Sequence, residues 1–191
     1  MIEFQGCGGP VRPADAPPCI PTVLRAYPSA AIFLSYPKNS WSDIVQANAD
    51  DLASNQGPLM TFAPGTLVND NGTIYVVDGD WANLLITPLK HGIPDAATFL
   101  SLGYKWSNVV SGDISSIAAG DIISASNAHL PGALINQNGT IYCITQYGKI
   151  VFTSIDDFTS RGFKLKNVVP ANSQDAALPT DTYGWHEPGP Q

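Results

Sequence analysis

One pattern of apolar and polar positions occurs twice along the chain. Residues 65–77 read GTLVNDNGTIYVV and residues 132–144 read GALINQNGTIYCI, and the two segments align without a gap. In each copy, two apolar runs flank Asn-x-Asn-Gly, a pattern typical of a β-hairpin whose turn glycine adopts a positive φ. Alternate residues of a strand point to opposite faces, so both faces of the second strand are apolar. The pattern predicts two equivalent hairpins.

The similarity continues after the hairpins. A further apolar run, 84–86 in the first copy and 150–152 in the second, predicts a third strand. The spacing between the copies is shorter beyond this point, which indicates that the first copy has extra residues within 78–93. This insertion, which contains Trp81, is the part of the repeat in which copy-specific function is most plausible.

A short helix is predicted next in each copy. Residues 94–110, PDAATFLSLGYKWSNVV, match residues 154–169, SIDDFTSRGFKLKNVV. Pro and Asp suit the first turn of a helix, and Gly103 is a natural residue just beyond its last turn. Residues 29–54 match the same region, so they predict a third and partial copy, with a preceding strand at 22–24.

The chain is therefore predicted to be α+β and mainly β, built from tandem modules of a β-hairpin plus a third strand and a short helix. One module has too few large apolar residues to bury them alone, so neighbouring modules must pack on each other. The predicted units are an N-terminal arm (1–21), a partial module (22–63), module 1 (64–130), module 2 (131–179) and a C-terminal tail (180–191).

The repeat resembles short modules of bacterial secreted and cell-surface proteins. Those modules read roughly G-T-L-V, a turn, I/V-Y-x-V-x-x-G-K-x-x-x-I, a Phe-containing helix and G-Y-x-W-x-x-V. The second copy carries GALINQNGTIYCITQYGKIVFTS and the first carries FLSLGYKWSNVV. The resemblance covers about two thirds of the chain. It implies a non-catalytic unit used in surface display or assembly.

Charge excludes one class of partner. The 191 residues include nine Lys and Arg against sixteen Asp and Glu, which gives a net charge of -7. Nucleic-acid binding needs a concentrated basic surface, and the positive charges here are scattered. No apolar stretch is long enough for a transmembrane helix, so we expect no membrane insertion.

The low charge and the cysteines favour an extracellular or cell-surface location, with a virion as a further setting. Cys7 and Cys19 lie in a Gly- and Pro-rich segment that a disulfide would stabilise by about 3 kcal/mol. The N-terminus lacks the features of a signal peptide. We expect either a mature fragment with a new Met or export without such a signal.

The sequence predicts no catalytic residue, no metal site and no cofactor. The three histidines lie far apart, and no hydrolase, zinc-protease or phosphate-binding motif occurs. Cys143 takes the place of Val76 in the repeat, so we expect a buried hydrophobic side chain. Asp156 and Asp157 are interpreted as residues of a helix first turn rather than a catalytic pair.

Aromatic residues are the remaining candidates for contact with a ligand or a neighbouring subunit. Trp81, Tyr104 and Trp185 are selected, with Trp81 first because it lies in the insertion. Trp41 and Trp106 are equivalent in the repeat and are expected in the core. Asn71 and Asn138 begin N-x-T sequons at the two hairpin tips and are candidate glycosylation sites.

Two functions follow from these expectations. The first is a non-enzymatic extracellular repeat protein that acts as a structural or assembly subunit of a surface filament or shell, as a homo-oligomer or polymer. The alternative is a carbohydrate-binding or adhesion module of a cell-surface or phage virion protein, with a glycan as its partner.

Overall fold

A computed structural model describes residues 23–81, 87–181 and 185. Within this part of the chain, no helix is long and apolar enough to cross a membrane. The predicted Cys7–Cys19 disulfide and the N-terminal arm lie outside the described residues.

The strands are β1 (Val23–Leu24), β2 (Asn55–Gln56), β3 (Leu67–Asp70), β4 (Thr73–Val77), β5 (Leu89–Gly92), β6 (Val109–Ser111), β7 (Ala118–Ala119), β8 (Leu134–Gln137), β9 (Thr140–Thr145), β10 (Gly148–Val151) and β11 (Val168–Pro170). The α-helices are α1 (Ala30–Ser35), α2 (Ala49–Ala53), α3 (Ala96–Ser101), α4 (Ile155–Ser160) and α5 (Ser173–Ala177).

The two hairpins form where the Asn-Gly pairs predict them. Strands β3 and β4 pair antiparallel around Asn71-Gly72, and β8 and β9 pair antiparallel around Asn138-Gly139. Both residues of each turn have positive φ, 51° and 91° in the first and 53° and 89° in the second. Such a turn twists in the same sense as the strands that it joins, so it sets their register locally.

The two modules have the same sheet topology. The first sheet has the order β6-β3-β4-β5-β7 and the second has the order β10-β9-β8-β11. In each, the third strand pairs antiparallel with the second hairpin strand, and the last strand returns parallel to the first. The α+β, mainly β fold class is confirmed.

The helix of each module begins at a side-chain cap. The Asp95 carboxylate accepts from the backbone of Thr98 before α3, and the Ser154 hydroxyl accepts from Asp157 before α4. Gly103 follows α3 with φ 73°, which ends the helix as predicted. A one-turn 3-10 helix then leads into the returning strand in both modules.

The third strand of module 1 differs from the prediction. It is β5, which contains Lys90 and His91, whereas the run 84–86 lies outside the described residues. Val76 pairs with His91 just as Cys143 pairs with Ile150 in module 2. The extra residues of module 1 therefore lie before β5. Lys90 pairs with Val77 as Lys149 pairs with Ile144, so the two lysines occupy equivalent positions.

These two lysines hold the segment that follows the returning strand of each module, β6 or β11. The Lys90 ammonium donates to the carbonyl of Ile114 at 2.9 Å, and the Lys149 ammonium donates to those of Asp175 and Ala176 at 2.8 and 2.9 Å. Each also lies over a tyrosine ring of its own module, at 5.5 and 5.3 Å from the centroid. Lys149 is buried and Lys90 is half-buried, and a lysine removed from water requires such partners.

The partial module lacks a hairpin in the described residues. Its strand β1 pairs in parallel with β2, in the same relation as the outer strand pairs of the other modules. Its helix α1 is capped by Ser29 and is followed by a 3-10 helix at Trp41–Asp43. The helical part of the repeat is thus present three times.

Alternate residues of the inner strands enter different cores. Leu67 packs in a cluster shared with module 2, whereas the adjacent Val68 packs in a cluster shared with the partial module. In module 2, Ile135 joins the first of these clusters and Leu134 a third one. Each hairpin is therefore covered on both faces, which is why its strands are apolar on both sides.

Modules 1 and 2 approach one another closely at two equivalent glycines. A Cβ on Gly65 would lie 2.5 Å from the carbonyl oxygen of Gly132, and a Cβ on Gly132 would lie 2.5 Å from Cβ of Pro64. Both glycines have positive φ, 75° and 98°. Only glycine combines this backbone conformation with so close an approach.

We expect Gly132→Ala to destabilise the protein more than Gly139→Ala. Both positions have positive φ, which costs about 1–2 kcal/mol for alanine. A Cβ on Gly139 meets nothing within 4 Å, whereas one on Gly132 enters module 1, which adds about 1–3 kcal/mol. Urea unfolding measures the difference, and equal losses in the two variants would contradict this packing of the modules.

Candidate functional site

A cavity lies where the three modules meet. Its volume is about 290 Å³, and its walls come from α1, from the segments before β3 and β8, and from the 3-10 helices of modules 1 and 2. Trp81 and Tyr104, two of the predicted contact residues, both line it. The tertiary structure thus brings together two residues that are 23 positions apart in the chain.

Trp81 joins the modules rather than standing free on the surface. Its indole N–H donates to the carbonyl of Gly132 at 3.0 Å. The ring meets Tyr36 and Phe163 edge-to-face, at centroid distances of 6.4 and 5.2 Å. One side chain therefore touches the partial module and module 2 while it belongs to module 1.

Tyr104 is buried, with 7% of its surface exposed, so it has no open face for an external ligand. Its ring packs on Phe99 and meets the ring of His129 edge-to-face. Burial, and to a smaller extent the charge of Asp175, raises the pKa of its hydroxyl well above the ordinary value. The expectation that Tyr104 contributes to an exposed aromatic face is wrong, because module 2 covers it.

Trp185 docks on module 2. Its ring lies 5.0 Å from that of Phe152 and packs against the cluster around Phe158. The guanidinium of Arg161 lies 4.5 Å from the centroid of the same indole. This tail residue thus has an intramolecular contact, and the residues on either side of it lie outside the described part of the chain.

The expectation that Trp41 and Trp106 are core residues is wrong. Trp41 is 55% exposed and Trp106 is 51% exposed. Each indole lies nearly parallel to a phenylalanine ring, Trp41 on Phe33 at 4.6 Å and Trp106 on Phe99 at 4.0 Å. The 3-10 helix holds the residue at the edge of the module, so one face is covered and the other points outward.

The charges at the cavity are of one sign. Lys164 and Lys166 are the charged residues among those that line it. Both are exposed, and neither forms an ion pair within the described residues. The cavity is therefore basic in a protein with a net charge of -7.

A buried histidine was not anticipated from the sequence. His129 Nε2 lies 2.8 Å from the carbonyl oxygen of Leu102, and Nδ1 lies 2.7 Å from a carboxylate oxygen of Asp175. A carbonyl oxygen only accepts, so Nε2 donates. The Asp175 carboxylate also accepts the backbone N–H groups of His129 and Asn172, which fits its ionised form. Nδ1 then donates too, and the pair is a buried imidazolium–carboxylate.

His129 lies between modules 1 and 2, so this ion pair connects α3 to α5. Burial alone raises the pKa of Asp175, but hydrogen bonds and the charge of His129 outweigh it and hold that pKa below the ordinary value. His91 repeats the arrangement with the Asp121 carbonyl and the Asp78 carboxylate, at 2.8 and 3.1 Å. The partners lie 46 and 13 residues away, which is why no local motif indicates them.

Other candidate chemistry has structural explanations. Cys143 is fully buried as predicted, and burial raises the pKa of its thiol far above the ordinary value. Asp156 and Asp157 lie in the first turn of α4, and Asp157 pairs with Arg161 at 2.9 Å. Within the described residues, no group of three or more His, Cys, Asp or Glu could hold a metal ion.

Both sequons occupy exposed hairpin tips. Asn71 and Asn138 are exposed, and the Asn71 side-chain amide donates to the Asp70 carboxylate at 2.8 Å. The two tips are therefore accessible to a modifying enzyme. Glycosylation at these positions stays a prediction.

In comparisons with protein-family models, curated proteins and solved structures, no match to this chain was found. The functional argument therefore depends on the chain's own residues.

We expect His129→Gln to destabilise the protein by about 3–5 kcal/mol, because it leaves the Asp175 carboxylate buried without its cation. His91→Gln should cost less, since the Asp78 side chain is 21% exposed and water can solvate it. Denaturant unfolding at pH 7 measures both. A loss in His129→Gln no larger than that in His91→Gln would contradict a buried ion pair.

We also expect a specific loss of stability in acid. The pKa of Asp175 is lowered on folding, so its contribution is fully present above the unfolded value of 3.8 and is lost as pH falls through the lower folded value. Urea unfolding between pH 5 and about pH 2 should show this slope in the wild type. Asp175→Asn should have lower stability at pH 5 and a flatter slope, and an unchanged slope would refute the assignment.

Proposed function

We propose that this protein is a non-enzymatic repeat scaffold that works by assembly, as a structural subunit of a surface filament or shell. The observation that carries the proposal is a set of exposed apolar side chains at equivalent positions of the repeat. Leu34 and Trp41 in the partial module correspond to Leu100 and Trp106 in module 1, and Leu165 in module 2 corresponds to the two tryptophans.

These five side chains are each exposed by half or more. Single exposed apolar residues are common, but a regular set of large ones marks an interaction surface. Aromatic residues are also enriched at protein–protein interfaces. The rings of Phe33 and Phe99 hold the two indoles in fixed orientations, so little side-chain freedom remains to be lost on docking.

The occupant that we favour is a second copy of the chain. A rigid unit with apolar positions repeated around it can contact several neighbours with the same chemistry, as a filament or shell requires. The proposal also includes an extracellular or cell-surface location. It further includes a relationship to the modules of bacterial secreted and cell-surface proteins. The low share of charged residues, 13%, supports them.

We expect the wild-type chain to associate as its concentration rises, and more strongly at higher salt. Salt screens the repulsion between copies of net charge -7 while leaving apolar contacts intact. Trp41→Ser with Trp106→Ser should weaken association by about tenfold or more, as loss of two aromatic contacts implies. Sedimentation velocity over a concentration series measures this.

Tyr147→Ser is the matched control, because Tyr147 is 57% exposed but lies in the turn between β9 and β10, away from the tryptophan positions. It should leave association unchanged. A wild-type chain that stays monomeric at high protein concentration, at both low and high salt, would contradict the proposal.

A carbohydrate-binding or adhesion module is the second candidate. The same two indoles favour it, since each has one face covered by a phenyl ring and the other directed outward. A flat aromatic face stacks on the C–H surface of a sugar. Neutral oligosaccharides that change tryptophan fluorescence in the wild type but not in Trp41→Ser with Trp106→Ser would favour this function over assembly.

A further inference from the structure

We propose that the cavity between the three modules binds one acidic sugar residue, a pyranose that carries a carboxylate. This inference is independent of self-assembly, because the cavity and the exposed tryptophans are separate features. It concerns a recess between the modules rather than the outward faces of Trp41 and Trp106.

The size of the cavity limits its occupant. Its volume of about 290 Å³ is at the lower end of the range for small-molecule sites. A single ring with its substituents is the appropriate scale, and a longer segment of a polymer would have to extend out of the opening. A site where several structural units converge is a common place for such a cavity.

The charge of the cavity selects an anion. Lys164 and Lys166 are its charged lining residues, and neither has an ion-pair partner within the described part of the chain. By contrast, the ammonium groups of the half-buried Lys90 and the buried Lys149 donate to carbonyl oxygens. Two cationic residues beside one cavity contribute a local positive potential in a chain of net charge -7.

The uncharged lining favours a polyhydroxylated ligand over a purely apolar one. Ser107, Asn108 and Asn167 supply hydroxyl and amide groups, while Trp81, Phe163 and Leu34 supply apolar surface. Hydroxyls can bond to the first set while the C–H face of a sugar packs on the second. The Asn108 amide donates to the Lys166 carbonyl at 2.9 Å, which fixes this side chain at the cavity wall, whereas a fatty acid would make no use of the polar groups.

A carboxylate fits the cations better than a phosphate does. Among the described residues, those that line the cavity include no arginine, which is the side chain suited to bidentate phosphate recognition. The helices that border it have six residues or fewer, so they offer little of the backbone field that favours phosphate. Lysine acts as a point charge and pairs readily with a single carboxylate.

The experiment titrates the full chain with D-glucuronate, D-glucose and sulfate, using chemical shifts of the Trp81 indole N–H together with calorimetry. Glucuronate should bind at least about tenfold more tightly than glucose, since one charge-assisted hydrogen bond is worth about that factor. Lys164→Gln with Lys166→Gln should lower glucuronate affinity to the level of glucose. These residues are exposed, so the variants should fold, and urea unfolding checks this.

Lys105→Gln is the matched control. Lys105 precedes the 3-10 helix of module 1 as Lys164 precedes that of module 2, but it is not among the residues that line the cavity. It should leave glucuronate affinity unchanged. An equal loss of affinity in this variant would show that glucuronate responds only to the general surface charge and not to the cavity.

Three other results overturn the proposal. They are no binding of glucuronate, equal binding of glucose and glucuronate, and sulfate that binds as tightly as glucuronate, which would reduce the cavity to a simple anion site. None of them bears on assembly, because the lysine variants should sediment like the wild type. Conversely, Trp41→Ser with Trp106→Ser should weaken association and retain glucuronate binding.

Discussion

The contact between Gly65 and Gly132 is the constraint on which the rest of this structure depends. Two equivalent segments meet backbone to backbone, with no room for a Cβ on either side. Because the modules come this close, the strands on both sides bury their apolar faces against a neighbour. Two of the three clusters of buried side chains combine residues of different modules, and the third, which lies within module 2, is packed against by Trp81 of module 1.

Buried polar groups also hold the modules together. The His129–Asp175 pair and the Lys149 ammonium both meet at α5, so one short helix is tied to module 1 by an ion pair and to module 2 by hydrogen bonds. Buried charges of this kind add less to stability than their distances suggest, because their desolvation is costly. Their more important consequence is specificity, as any other packing of the modules would leave them unpaired.

This construction separates two kinds of surface. The outward indoles of Trp41 and Trp106 are apolar, repeated and held on phenyl rings, which suits contacts with large partners. The cavity between the modules is basic, small and lined by mixed side chains, which suits one small molecule. The tryptophans of the first surface and the lysines of the second are different residues, so variants can separate the two proposals, although Leu34 belongs to both the exposed apolar set and the cavity wall.

The sequence by itself determined the modules, their hairpins and their helices. An Asn-Gly turn, a capping Asp95 or Ser154 and a positive-φ Gly103 act over a few residues, so local pattern is sufficient to predict them. The repeat also predicts that Cys143 is buried, because it takes the place of Val76. Only the tertiary structure decided that Trp81 joins modules, that Tyr104 is covered, that Trp106 is exposed, and that His129 meets Asp175. The physical reason is that a repeat pattern shows which side chains are apolar, whereas burial and ion pairing depend on which module lies opposite them.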